Sequence, residues 1–216
     1  MNTSIQNYYK QHSSKLHKLF SDNESLISGR ICHPSIILIH ILLQLDTSIK
    51  NYMEIGVHNG GSLSMVISTN RTFNIYGIDL FEYMYDSQHH PDKKVFEFYQ
   101  YFKRDNLSIQ KTISNIELLK KNYNNNSTYQ LIQGNTYHDT TEQLTKQKLQ
   151  DTLIDLLFID GDHTPKGVQN DLERYSKFVK KNGYIIFDDY HHPAIKIYVD
   201  NLLLNNKHLY TPITIF

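Results

Sequence analysis

Residues 50–80 read KNYMEIGVHNGGSLSMVISTNRTFNIYGIDL, and this stretch decides the fold. KNYMEIGV is a short apolar strand, and Gly56, Gly60 and Gly61 then let the backbone turn tightly. SLSMVIST starts a helix, and FNIYGIDL has the β-branched and aromatic content of a second buried strand. A strand, a glycine turn, a helix and a strand together form the repeating unit of a parallel sheet.

Outward from this unit the alternation continues. SIILIHILLQL, residues 35–45, is a core helix on the N-terminal side, preceded by a polar, Ser/Asn-rich stretch read as a helix and a loop. On the C-terminal side TYQLIQGN is a strand, TEQLTKQKL a helix, IDLLFIDGD a strand, and PKGVQNDLERYSKFVK a helix stopped by Asn182 and Gly183. GYIIFDDY follows as a strand, PAIKIYVDNLLL as a helix opened by Pro193, and YTPITIF as a final strand. Short strands apolar on both faces, each followed by a helix, predict a doubly wound α/β fold with a mostly parallel sheet. Residues 1–50 are expected to form an N-terminal helical segment packing on a domain at 51–216. That domain carries an insertion at about 81–126, aromatic-rich and of the length of an active-site lid.

At 216 residues the chain supports one substantial core. Lys plus Arg equals Asp plus Glu at 22 each, so no basic surface argues for nucleic acid. Cys32 is the single cysteine, which excludes an intramolecular disulfide and a cysteine-built zinc site and makes a reducing, cytoplasmic setting the default. The most apolar run is well short of the ~20 residues of a membrane span, and the N-terminus has neither a signal core nor a transit composition. The excess of Asn, Lys, Ile and Tyr without Trp suggests an AT-rich genome, that of a virus or a low-GC microbe. In the viral case the setting is the host cytoplasm.

In a doubly wound sheet ligands bind outside the carboxyl ends of the strands. After the first strand stand Glu54, Gly56, Gly60, Gly61 and Ser62, where close backbone approach and a helix N-terminus favour an anionic group. After the second stands Asp79, about 20 residues on, where a nucleoside site places an acid on the ribose hydroxyls. The pair implies an adenosine-bearing ligand and leaves a nicotinamide cofactor and S-adenosylmethionine both open. After the third strand, Gly134, Asn135 and Thr136 either border the adenine or simply make a turn. After the fourth and fifth come Asp160, Asp162 and His163, then Asp188 and Asp189. A helix cap for Asp162 and a turn for Asp188 are ordinary aspartate roles. Three carboxylates at one rim, however, repel unless protonated or bridged by a cation, and an oxygen-rich set suits Mg²⁺.

These segments resemble the class I S-adenosylmethionine-dependent methyltransferases. More narrowly they resemble the small-molecule and sugar O-methyltransferases of methyltransferase family 24, near the metal-dependent macrolide-sugar and aminocoumarin-sugar enzymes. The resemblance runs from about residue 51 to about residue 205. YMEIGVHNGGS, IYGIDLF, LFIDGDHTPKGVQNDLERYSKFVKKNGYIIFDDY and PAIKIYVDNLL carry it.

It implies a Rossmann-like class I methyltransferase fold with S-adenosylmethionine on Glu54, Gly56, Gly60, Gly61, Ser62, Asp79, Asn135 and Asp160. It also implies a divalent metal on Asp160, Asp188 and Asp189. His163 matches the general base of one branch and Asp162 that of another; His163 ranks first, since a neutral imidazole titrates near working pH.

Family members usually end in two strands after the last helix, and only one candidate segment remains here. An edge strand is therefore missing, or supplied by the N-terminal segment or by a second copy in a homo-oligomer. The expected reaction is Mg²⁺-assisted O-methylation of a small molecule, a sugar or nucleotide-sugar hydroxyl before a catechol-like phenol. A nicotinamide-dependent oxidoreductase shares the glycine turn and Asp79 but has no use for the three aspartates. A cofactor-binding module without turnover is the remaining alternative.

Overall fold

The computed structural model describes residues 1–27, 34–81 and 107–213. Its elements are α1 (Asn2–Leu26), α2 (Pro34–Leu45), β1 (Asn51–Ile55), α3 (Gly61–Ile67), β2 (Asn74–Asp79), α4 (Ile109–Asn122) and β3 (Thr128–Gln133). They continue as α5 (Asp139–Leu149), β4 (Ile154–Ile159), α6 (Pro165–Tyr175), a 3₁₀ turn (Ser176–Phe178), β5 (Val179–Phe187) and α7 (Pro193–Asn205). The strands form one all-parallel sheet in the order β3-β2-β1-β4-β5. The order reverses at β1, so the crevice between the ends of β1 and β4 is the topological switch point at which such sheets bind ligands.

Strand alternation sorts the apolar side chains into two layers. Tyr52, Ile75, Leu156 and Phe158 face a cluster built with α1 to α4, including Ile5, Leu43, Leu63 and Ile116. Met53, Ile55, Ile78, Leu157 and Ile159 face Leu149, Leu172 and Tyr175 on the opposite side. Both faces of the sheet are therefore covered, as a parallel sheet requires. His40, the one interruption in the apolar run of α2, is buried with Nδ1 2.8 Å from the Met65 carbonyl oxygen. Burial pushes its pKa down, which keeps the ring neutral where a charge would be costly.

Arg71 closes the other end of α2. Its guanidinium donates to the carbonyls of Leu43, Asp46, Thr47 and Ile49 and lies 5.0 Å from the centroid of the Phe73 ring. Those carbonyls include ones that a helix C-terminus leaves without intrahelical partners. Arg71→Ala should lower unfolding stability by ~2–3 kcal/mol, because one fork satisfies several acceptors at once. The measurement is a urea unfolding curve; a loss below ~0.5 kcal/mol would show that water replaces the fork without cost.

Two expectations change. The helix read through residue 180 ends at Tyr175: after the 3₁₀ turn Val179 is already extended and pairs with Ile154, so sheet pairing outweighs the helical pattern. The stretch 210–213 forms no strand, while 214–216 lie outside the described residues. Among the described residues the sheet therefore has five strands, without a further one beyond β5. Most of the predicted lid, residues 82–106 with His89 and His90, also lies outside the described residues; its last part is α4. No helix of the described residues is long and apolar enough to cross a membrane.

Candidate active site

The glycine turn is held from three sides. Gly56 has φ +90°, and a Cβ there would overlap the backbone carbonyl of Asp160 and lie 2.9 Å from Gly161 Cα. The turn after β1 and the turn after β4 thus touch backbone to backbone. Gly60, at φ +84°, precedes the first residue of α3. From α4, Thr112 Oγ1 donates to the His58 carbonyl at 2.6 Å and Asn115 Nδ2 to the Asn59 carbonyl at 2.8 Å. Asp79, at the end of β2, accepts the backbone N–H groups of His58 at 2.8 Å and Phe81 at 2.7 Å. Burial nonetheless raises its pKa.

Glu54 is fully buried and accepts hydrogen bonds from Tyr52 OH at 2.7 Å and from Ser62 Oγ. Burial dominates, and the fields of Asp79 and Asp188 add to it, so its pKa is pushed up to about 8 despite these donors. A carboxyl held neutral by burial in this way would regain its charge beside a cation. The predicted cofactor residues Glu54, Gly56, Gly60, Gly61 and Ser62 are thus contiguous, with Asp79 bonded to their turn. Asn135 stands beyond β3, where its side chain accepts the Tyr137 N–H at 2.9 Å and makes the turn itself.

The two acids of β4 and its exit lie in opposite surroundings. Asp155, near the start of the strand, is met by the N–H groups of Lys50 and Asn51, each at 2.7 Å, and by Lys180 Nζ at 2.6 Å. Burial pushes its pKa up, but these partners win and hold it below the usual value. Asp160, just after the strand, has the opposite surroundings. Burial and then Asp188, Glu54 and Asp189 drive its pKa well above the usual range. A cluster of acids that destabilise one another calls for a proton or a cation.

Asp160, His163 and Asp188 each place one potential ligand atom within 4.8 Å of the others. Asp188 is buried and accepts a hydrogen bond from Ser35 Oγ, at the start of α2. Asp189 adopts left-handed backbone, φ +53°, and its Oδ2 lies 2.6 Å from His163 Nδ1. A carboxylate only accepts, so this contact puts the ring proton on Nδ1 and makes Nε2 the basic nitrogen of the neutral imidazole. Burial pushes the His163 pKa down, but the bond to Asp189 and the fields of Asp189, Asp188 and Asp162 leave it raised.

Asp162 is not the cap of α6: Thr164 accepts the Gly167 N–H at 3.1 Å and performs that role. Tyr137 OH donates to Asp162 Oδ2 at 3.1 Å, and a Cβ on Gly167 would overlap the Asp162 side chain, so this aspartate is fixed against the first turn of α6. Asp171, fully buried on α6, accepts a hydrogen bond from Asn170 Nδ2 at 3.1 Å, and burial pushes its pKa up to about 6. The sequence reading missed Ser35, Tyr137 and Asp171. Tyr137 stands one residue beyond the Gly134–Thr136 turn, whereas Ser35 reaches Asp188 across 153 positions and gave no local signal.

The sequence profile of a methyltransferase-domain family, methyltransferase family 24, matches residues 53–190, more than half of the chain. An uncharacterized protein, R132, of Acanthamoeba polyphaga mimivirus is 30% identical over 158 residues, which are 70% of this chain and 58% of that protein. The chain therefore spans little more than half the length of this relative.

Among solved structures, the calicheamicin methyltransferase CalS11 has a TM-score of 0.54 at 18% identity, over 90% of this chain and 84% of that one. A putative caffeoyl-CoA O-methyltransferase from Staphylococcus aureus has 0.54 at 16%, over 96% and 91%. The mycinamycin-pathway methyltransferase MycE, solved with Mg and S-adenosylhomocysteine, has 0.53 at 16%, over 91% and 46%. At these identities the likeness is one of fold. With the profile match spanning β1 to the exit of β5, the chain belongs to methyltransferase family 24 and has the Rossmann-like class I methyltransferase fold.

Proposed function

We propose that the protein is an S-adenosylmethionine-dependent O-methyltransferase that uses a divalent ion, Mg²⁺ first, to methylate a hydroxyl of a sugar or nucleotide-sugar. The observation that carries this reading is the convergence of Asp160, Asp188 and His163 at adjacent strand ends, beside the glycine turn held by Asp79.

The glycine turn and Ser62 would take the methionine end of the cofactor, Glu54 its cationic group, and Asp79 the ribose. Asn135, beside its own turn, would border the adenine. A bound sulfonium supplies the methyl electrophile, so the chain's main task is to align the acceptor oxygen with it. Asp160 and Asp188 fit a hard cation by donor chemistry and by their mutual repulsion. Such an ion would lower the pKa of a chelated hydroxyl. Asp189 is the third candidate ligand, but its bond to His163 gives it another task, fixing the tautomer and direction of the base. His163 Nε2 would then remove the hydroxyl proton. Asp162, held by Tyr137, is the second candidate for that role. A vicinal diol offers the two oxygens that a chelating ion needs, which favours a sugar; a catechol presents the same pair.

Calorimetric titration with S-adenosylhomocysteine, followed by turnover with a panel of nucleotide-sugars, free glycosides and catechols, tests this reading. Methyl transfer should occur in Mg²⁺, cease in EDTA and return when Mg²⁺ is restored. Absence of S-adenosylhomocysteine binding would sink the assignment, and turnover indifferent to EDTA would remove the metal. Transfer to catechols alone would replace the sugar.

A further inference from the structure

We infer that Ser35 is a positioning residue for Asp188, and that the start of α2 thereby forms part of the metal-holding site. The inference rests on the metal reading above and extends it to an element outside the family match, which begins at residue 53.

Asp188 follows β5 directly, with its backbone N–H bonded to the Ile159 carbonyl at 3.0 Å, so its main chain is fixed against the end of β4. Its carboxylate still has a rotation to lose before it serves an ion. The Ser35 hydroxyl donates to Oδ1 and removes that freedom while leaving the second oxygen directed by the same bond. Asp188 retains only 5% exposure, so water competes poorly for this role.

Ser35 lies on the first described turn of α2, where a serine hydroxyl could return to its own helix. The hydroxyl is directed instead to a residue 153 positions away. The rest of α2 is anchored independently, by His40 on Met65 and by Arg71 on its last carbonyls. Loss of the Ser35 hydroxyl should therefore disturb Asp188 without displacing the helix.

Mn²⁺ binding followed by electron paramagnetic resonance tests the proposal on the wild type, Ser35→Ala, Ser35→Thr and Asp188→Asn. S-adenosylhomocysteine affinity and Tm are measured in parallel. Ser35→Ala should weaken Mn²⁺ binding by ~10-fold or more, the usual effect of removing a group that orients a ligand, and Ser35→Thr should restore most of it. Cofactor affinity and Tm should stay at wild-type values. If Ser35→Ala binds Mn²⁺ like the wild type while Asp188→Asn does not, the positioning role is wrong and the metal reading stands. If the wild type binds no Mn²⁺, the metal reading falls and this role with it. A parallel loss of cofactor affinity and Tm in Ser35→Ala would make the residue structural and overturn the proposal.

Discussion

His163→Ala should lower kcat by ~10²–10⁴-fold on the best acceptor of the panel, the usual contribution of a positioned general base. S-adenosylhomocysteine affinity should be largely kept, because the proposed cofactor site is built around the glycine turn and Asp79, and His163 is not among its residues. The pH profile gives a second reading. A base acts only when unprotonated, so the rate of the wild type should fall on the acid side as His163 takes up a proton; without a bound ion its neighbouring acids hold its pKa above that of an ordinary histidine. The alanine variant should lose that acid limb. His163 also lies within reach of Asp160 and Asp188, and a Mn²⁺ titration of the same variant separates base from ligand. Retained Mn²⁺ binding with lost turnover identifies the base, lost Mn²⁺ binding identifies a ligand, and near-normal turnover removes the residue from the mechanism.

Gly56→Ala should be the most damaging substitution to the fold. The residue sits at φ +90°, outside the ordinary range of an L-amino acid, and the new methyl would be driven into the Asp160 carbonyl. Neither neighbour can yield: Gly56 N–H bonds the Ile78 carbonyl at 2.9 Å and Asp160 N–H bonds the Ile55 carbonyl at 2.9 Å. Both turns are thus tied to adjacent strands. We expect a loss of ~4 kcal/mol or more, in the range where only a named steric or electrostatic fault suffices. Urea unfolding measures it, with soluble yield as the first indication. A loss under ~1 kcal/mol would mean that the two turns separate readily. Cofactor affinity would then be the informative readout, since the same separation opens the ligand crevice.

The parts of this architecture legible in the sequence were those whose cause is local. Apolar segments set the strands, and Gly56 and Gly60 are required by positive-φ backbone, Gly56 also by close approach to Asp160. Acids at the carboxyl ends of β2, β4 and β5 fall at one rim because all the strands run the same way. The parts that escaped depend on contacts made across the fold. The end of α6 is set by the pairing of Val179 with Ile154, not by its own pattern. A helix cap was one open role for Asp162 beside that of a base, yet Thr164 stands next to Pro165 and takes it. Ser35 was read only as the edge of an apolar helix, and nothing near it in sequence names Asp188 as its partner.

Asp189 carries a broader lesson. In an extended chain adjacent side chains diverge to opposite faces, so two successive acids would ordinarily serve different neighbourhoods. The left-handed turn at the second acid cancels that divergence, and both carboxylates reach the same group of side chains. Substituting residue 189 therefore changes a charge and a bend together. Asparagine, which tolerates this backbone region and keeps the shape, is the replacement that isolates the charge. Valine there would report chiefly on the bend. A doubled acid at the close of a parallel strand is thus a hinge as much as a pair of donors, and its chemistry cannot be separated from the direction in which the chain leaves the sheet.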